Sequence, residues 1–320
     1  MIPKAVLLRL VELASQAPSV HNTQPWIWRA SGDQVSLYPD YSRQLPAEDP
    51  VGRNLVISCG AALDHFRYAA HALGWDTTTI RLPRGGDDRD APLAVVQITR
   101  GQPSNTPAVD LDVLRTRCTD RRRFTSWPVP TPVVEALVDT ARSRGANAAA
   151  VVDDGARVRL ELLANQAHER HLVDAVASGE QQRWVGDGRD DGVPLSVLPV
   201  YDDNDPMRTR FGSGLVEQTR TAVESGDGVI VLGGDGDDLG SWLLTGEALS
   251  ALWLDATRAG LSVVPLSLPV EIDSVRDDLR NVVLNGGLHP HLMLRIGWQA
   301  IGRSQLPRTP RRPVSDVLLP

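Results

Sequence analysis

Two short stretches hold most of the residue types that could do chemistry. Residues 17–26 place Pro18, Ser19, Asn22 and Gln24 between a helical pattern and a strand pattern. Such residues fix a turn and present hydrogen-bonding groups from backbone and side chains. A planar heterocycle with several carbonyls and ring nitrogens needs groups of this kind. Residues 117–124 carry Arg117, Arg121, Arg122 and Arg123 around Thr119. Guanidinium groups beside a hydroxyl suit a phosphate. The same residues would also serve an ordinary helix-to-strand turn and a solvated basic turn, and spacing alone leaves those alternatives open.

Weaker signals read as structure. Gly233, Gly234, Asp235, Gly236, Asp237 and Asp238 lack the full glycine spacing of a dinucleotide loop, and a calcium nonapeptide would need several copies. A polar turn is expected there. His168 and His171 stand three apart with no third metal ligand in view, so they read as a solvated helix face. His289 and His291 read as the start of a strand. Cys59 and Cys118 sit in no CxxC pair and are expected to be thiols. No Gly-x-Ser-x-Gly is present, which argues against an α/β-hydrolase. No metal site is expected.

The elements that must position the two stretches follow from periodicity. Val6, Leu7, Leu10, Val11 and Ala14 recur at helical spacing, giving a helix near 4–16. A hairpin is expected across 26–38, turning at Gly32. Asp49 and Pro50 read as an N-cap and first residue of a helix ending at Gly74. Strands follow near 76–82 and 92–99, then a helix from Thr131 and a strand near 148–152. The pattern is helical near 154–178. Residues 179–206, rich in Gly, Asp and Pro, read as a long loop of the kind used for lids. A strand at 229–232, a helix at 239–259 and strands at 261–265 and 292–297 complete the order. The basic, proline-rich tail from Arg303 is expected to wrap over another part of the chain.

Composition sets the class. The 320 residues are 42% hydrophobic and 23% charged, with a net charge of −7, as expected of a soluble globular protein that does not bind nucleic acid. No apolar run is long enough to span a bilayer. The start of the chain lacks the apolar core and cleavage site of a signal peptide, so a cytoplasmic location is expected. Lys4 is the only lysine; the other basic residues are arginines. Arginine abundance therefore carries no functional information, and only arginine placement can.

An internal echo points to the architecture. Residues 60–74 align with 246–260 at an offset of 186, matching Gly60 with Gly246, Ala62 with Ala248, Leu63 with Leu249, Ala70 with Ala256 and Gly74 with Gly260. Each helix leads directly into a strand, and a second strand later opens after Pro92 or Pro290. Self-similarity of this kind is a signature of duplication. It predicts two fused halves, 1–110 and 111–320, the second carrying an insertion near 154–225.

Together these motifs resemble the FMN-binding nitroreductase-like superfamily, most closely the Acg-type members with tandem halves. The Pro-Ser-x-x-Asn-x-Gln-Pro-Trp string from Pro18 to Trp26 is similar to that family's flavin-contacting segment. Arg117, Arg121 and Phe124 are similar to its phosphate and ribityl segment, and Arg311, Arg312 and Pro313 to its C-terminal Arg-Arg-Pro. The resemblance implies an α+β fold, each half an antiparallel sheet flanked by helices. It implies one FMN per chain. Arg117, Thr119, Arg121, Pro265, Leu266 and Ser267 would come from the second half, with Arg311 or Arg312 at the phosphate. Pro18, Ser19, Asn22 and Gln24 would come from the first half. The segment before Ala17 has no arginine cluster, so the symmetry-related position should lack phosphate ligands. A pseudo-dimeric monomer is implied, with further homodimerisation left open. Two activities fit. One is NAD(P)H-dependent reduction of nitro or quinone-like compounds, with a small aromatic acceptor. The other is sequestration of FMN under the 179–206 loop with little or no turnover. No residue is required as a general acid or base, since water or substrate can supply protons.

Overall fold

The computed structural model describes residues 2–86, 88–122, 124–186, 188–197, 227–300 and 307–320. The fold is α+β, with two separate sheets laid against a central pair of helices. The first unit runs α1 (Lys4–Ala14), β1 (Trp26–Ser31), β2 (Gln34–Pro39), α2 (Arg53–Ala72), β3 (Trp75–Arg81) and β4 (Ala94–Arg100). After α3 (Pro107–Thr116) the order recurs with additions: α4 (Thr131–Ser143), β5 (Asn147–Ala150), α5 (Asp154–Val173), α6 (Ala175–Arg183), β6 (Gly228–Gly234), α7 (Leu239–Arg258), β7 (Ser262–Leu266), α8 (Leu268–Glu271), α9 (Asp273–Asp278) and β8 (His289–Gly297). The chain closes with α10 (Val314–Val317) and β9 (Leu318–Leu319).

The strand order is β3-β4-β2-β1-β9 in one sheet and β5-β6-β8-β7 in the other. Apart from β9 the two orders are the same. The register repeats as well. Thr77 faces Ile98 in the first sheet, and Val263 faces Ile296 in the second. Within each sheet the eight strands β1–β8 pair antiparallel.

The two long helices cross at glycines because nothing larger fits. A Cβ on Gly60 would lie 2.2 Å from the Leu243 carbonyl oxygen; one on Gly246 would lie 2.1 Å from that of Ile57. Residues 57 and 243 are themselves separated by the offset of 186. The crossing is therefore reciprocal, each helix making on its partner the contact it receives, as in a twofold interface. Both helices stop as their sequences demand, at Gly74 (φ 79°) and Gly260 (φ 78°) in the left-handed region.

Each sheet buries its own core. Trp26, Trp28, Leu63 and Phe66 lie in the first, with Trp28 stacked on Phe66 at 5.0 Å. Leu249, Leu252, Trp253 and Leu294 lie in the second. Each such side chain contributes roughly 1.5–3 kcal/mol on burial. The tail crosses between the units. β9 adds to β1 in parallel, Trp28 facing Leu318, and Val317 enters the first core.

Three local expectations change. Asp49 is not the N-cap of α2; Gly52 holds that place, and the Asp49 carboxylate accepts from the Leu55 amide at 2.9 Å. The helix predicted to 178 breaks at Asp174, whose side chain caps α6 through the Val176 and Ala177 amides, so residues 179–183 are helical rather than loop. His168 and His171 are buried, not solvated, because α8 and α9 cover α5. Asp187, residues 198–225 of the expected insertion and residues 303–306 of the tail lie outside the described residues. So does Arg123. Among the described residues, no helix is long and apolar enough to cross a membrane.

Candidate functional site

The turn after α1 is held in an unusual backbone shape. His21 (φ 43°), Asn22 (φ 56°) and Gln24 (φ 50°) all occupy the left-handed region, which L-residues avoid at a cost of roughly 1–2 kcal/mol each. Hydrogen bonds compensate. The Ser19 hydroxyl accepts from the Gln24 amide at 3.0 Å, and the Ser58 hydroxyl from the Val20 amide at 3.3 Å. The Asn22 side-chain amide donates to the Gly192 and Pro310 carbonyls at 2.8 and 3.0 Å. The turn is thus fixed by α2 on one side and by the chain's later segments on the other.

Arg117 ends α3 and points beneath this turn. One of its nitrogens donates to the Gln16 carbonyl at 3.0 Å, and its guanidinium lies 4.6 Å from the Trp253 ring centroid. Arg311, from the tail, donates to the same carbonyl at 3.3 Å and to the Asn22 side-chain oxygen at 3.2 Å. Arg117 Nε and Nη1 and Arg311 Nε are buried with no hydrogen-bond partner among the described residues. Arg121 and Arg308 line the same cleft, and none of its described lining residues is acidic. Burial pushes Arg311 down to about 9, assisted by the Arg117 charge, and pushes Arg117 down to about 10. Both remain cationic at neutral pH. Several guanidiniums therefore face one space with unsatisfied donors. An oxyanion such as phosphate would satisfy them with charge-assisted bonds.

The cleft opens into a second, more apolar space, a slot with Pro18, Ser19, Thr119 and Arg121 shared by both. One wall is β7 and the start of α8, presenting Pro265, Leu266 and Ser267; Ile57, Leu249 and Trp253 from the central helices form another. Together, cleft and slot suit an elongated ligand, phosphate at one end and a flat ring at the other.

Ten of the twelve residues singled out from sequence line these two spaces: Pro18, Ser19, Asn22, Arg117, Thr119, Arg121, Pro265, Leu266, Ser267 and Arg311. Gln24 and Arg312 line neither. They bond each other behind the wall. The Arg312 amide donates to Gln24 Oε1 at 2.8 Å, and its guanidinium to the Gln24 carbonyl at 3.1 Å. This pair fixes the tail to the turn. Sequence reading missed His21, Glu48, Asn54, His171 and Glu271, which also line the slot. His21 stood inside the quoted motif, and His171 was read as part of a solvated helix face; the others lie in helices and loops with no local signature.

The described part of the expected lid lies against the turn. Gln24 donates to the Asp190 carbonyl at 3.1 Å. Asp191 pairs with Arg43 and Arg189. Trp184 lies 5.3 Å from the Arg43 guanidinium and 5.4 Å from that of Arg189. Val193 and Val197 reach the arginine cleft. Gly192 (φ 76°) allows the close return, since a Cβ there would stand 2.6 Å from the Trp184 carbonyl oxygen.

No family model matches the chain. It is 35% identical over 322 residues to a Mycobacterium tuberculosis H37Rv protein named "Putative NAD(P)H nitroreductase Rv3131", covering 99% of this chain and 92% of that protein. It is 32% identical over 331 residues to "Putative NAD(P)H nitroreductase acg" from the same organism, covering 99% and 96%. Among solved structures, a nitroreductase with bound FMN from Bacteroides fragilis aligns over 62% of this chain and 92% of its own, at 13% identity and a TM-score of 0.41. The FMN-dependent nitroreductase NfnB from Mycobacterium smegmatis, in complex with NADPH, aligns over 64% and 95%, at 15% identity and a TM-score of 0.41.

Proposed function

The chain belongs to the nitroreductase-like family, and on that premise we propose that it binds one FMN and passes electrons from NAD(P)H to nitro or quinone-like acceptors. The observation that carries this reading is the set of buried guanidinium N–H groups, unpaired among the described residues, in a cleft that joins a partly apolar slot. Arg117, Arg121 and Arg311 would hold the phosphate, with Arg308 at the rim and Thr119 and Asn22 alongside. Pro18, Ser19, Pro265, Leu266 and Ser267 would flank the ring. Bound there, the flavin supplies hydride chemistry with a nicotinamide donor and a small aromatic acceptor; the protein positions it and tunes its charge. Gln24 and Arg312 serve by holding the wall in place.

The repeated element order and the reciprocal crossing at Gly60 and Gly246 support reading residues 1–110 and 111–320 as fused subunit-like halves. On this reading the pseudo-twofold axis lies inside one chain, and the ligand is clasped across it. The cytoplasm is its expected compartment.

A second reading is favoured by one specific contact set. Residues 184–186 and 188–197 are tied to Asn22, Gln24 and Arg43 and reach the anion cleft through Val193 and Val197, which would retain the ligand at its phosphate end and make the chain a holder of FMN with little turnover. Flavin titration of the purified chain tests the shared claim: saturation at one FMN per chain is expected, and two per chain or none overturns it. Stopped-flow mixing with NADPH or NADH then separates the readings. Rapid bleaching of the flavin absorbance supports the reductase; persistent yellow colour supports the holder.

A further inference from the structure

The slot has a chemically distinct wall that the anion cleft does not explain. Glu271 ends α8 with its carboxyl facing the slot, accepting from the Asn54 side-chain amide at 2.9 Å. Ser267 bonds the same carboxyl. Glu48 lines the slot beside it, bonded to His21 through Oε2, while its Oε1 is buried with no partner among the described residues. Glu180 accepts from the Ala47 and Glu48 amides at 2.9 Å each and locks the Glu48 backbone in place. His21 itself is held at the strained φ of 43°.

The charges around this wall do not balance. Glu271 is faced by His21 and Glu48 from the loops, by Asp49 before α2, and by His171 of α5, which also lines the slot. Arg53 and Arg276 are engaged elsewhere, while Arg121 lines the slot where it joins the anion cleft. Arg53 holds Asp237 at 2.8 and 3.0 Å, and Arg276 holds Asp273 at 2.9 Å. Glu271 and Glu48 thus share one desolvated wall with His21 and His171, and burial disfavours the ionised form of Glu271.

Resting on the reading that the slot holds a flavin and an acceptor, we propose that Glu271 is the internal proton donor to the acceptor, recharged through Glu48 and His21. A quinone-like acceptor takes a hydride, two electrons and one proton, from the flavin reduced by NAD(P)H. The second proton comes from the Glu271 carboxyl: its O–H bond breaks, an O–H bond forms on the acceptor oxygen, and the hydroquinone leaves. Glu271 is left as a carboxylate and regains its proton from solvent by way of His21. Desolvation, reinforced by the Glu48 charge, raises Glu271 to about 7, so the donor form is populated near neutrality. The rate of acceptor reduction should therefore fall as pH rises through that value.

The test uses flavin-loaded chain and Glu271→Gln, with Glu271→Asp as the conservative control. All three are loaded to the same flavin occupancy before mixing. With the flavin reduced chemically before mixing, Glu271→Gln should slow quinone reduction about 100-fold and lose the pH dependence; Glu271→Asp should keep a pH-dependent limb. Infrared spectra provide a readout independent of turnover. The wild-type chain should show a protonated-carboxyl band that titrates near neutrality and is missing from Glu271→Gln. Wild-type rates and an unchanged pH profile in Glu271→Gln, or survival of the infrared band in it, overturn the proposal while leaving the flavin reading intact. Failure of the wild-type chain to take up flavin overturns both, and shows before any substitution is made.

Discussion

Two arginine-bearing ends of the molecule, on opposite sides of the α2–α7 crossing, are built from corresponding positions and meet opposite fates. At one end Glu247 is fully buried, with Arg67 and Arg81 both bonded to its carboxylate. At the offset that superposes the two crossing glycines, Glu247 corresponds to Ala61, Arg67 to Trp253 and Arg81 to Ser267. The charged trio fills its end with its own ion pairs. Alanine, tryptophan and serine leave the other end without that plug, and there Trp253 and Ser267 line the slot. Arginine in the first setting is neutralised; Glu247 raises Arg81 above its ordinary range. Arginine in the second setting is lowered by burial and keeps donors with no partner among the described residues. The difference between a closed end and a ligand site is thus whether the fold supplies the counter-charge itself.

The largest effect should come from removing that counter-charge. Glu247→Ala leaves two partly buried guanidiniums without their hydrogen-bonded acid, only Asp64 remaining nearby, and should destabilise the chain by about 3 kcal/mol in denaturant unfolding. A loss under about 1 kcal/mol, the worth of a surface pair, would mean that the closed end is not held by this trio. Of comparable size is the crossing itself. Gly60→Ala and Gly246→Ala each push a methyl group onto a backbone carbonyl of the opposite helix and should cost about 3 kcal/mol. The two values should be similar; a large disparity would break the reciprocity.

At the open end the signs differ between stability and binding. Arg311→Ala should cost the flavin-free chain little stability, since the hydrogen bonds it loses to Asn22, Gln16 and Thr309 are offset by removal of a buried charge. It should weaken FMN binding roughly 10- to 100-fold in fluorescence titration, the worth of one charge-assisted bond of about 1.5–3 kcal/mol. Arg312→Ala sharpens the contrast, because Arg312 bonds the wall and not the cleft. It should loosen the tail, seen as faster amide exchange around Leu318, with a smaller change in affinity. The smallest expected effect is inorganic phosphate raising the melting temperature of the wild-type chain slightly, by linkage, and that of Arg117→Ala not at all.

Much of the fold was legible in advance, and for local reasons. Helix periodicity placed α1, α4 and α7, and glycines marked where α2 and α7 stop. The alignment of Gly60 with Gly246, five matches in fifteen positions, corresponded to a physical contact between those two residues. The break at Asp174 was missed because its capping aspartate sits between apolar residues, Leu172 and Val173 before it and Ala175 to Ala177 after it, with no Gly or Pro to mark a stop. Burial of His168 and His171 was missed for a different reason: what covers α5 is α8 and α9, about a hundred residues further along the chain.

By itself the sequence determined the residue types at the anion cleft, the turn chemistry of Pro18, Ser19 and Asn22, and the repeat that brings two helices together at glycines. These rest on short-range preferences and on matches between segments. Only the tertiary structure decided which arginines are paired and which are not. A guanidinium looks the same in a string of letters whether its partner is Glu247, a neighbouring carbonyl or an incoming phosphate. Counter-charge, burial and the direction of each N–H are set by chain segments far apart in number, and so is the meeting of Glu48 and Glu271 on one wall of the slot.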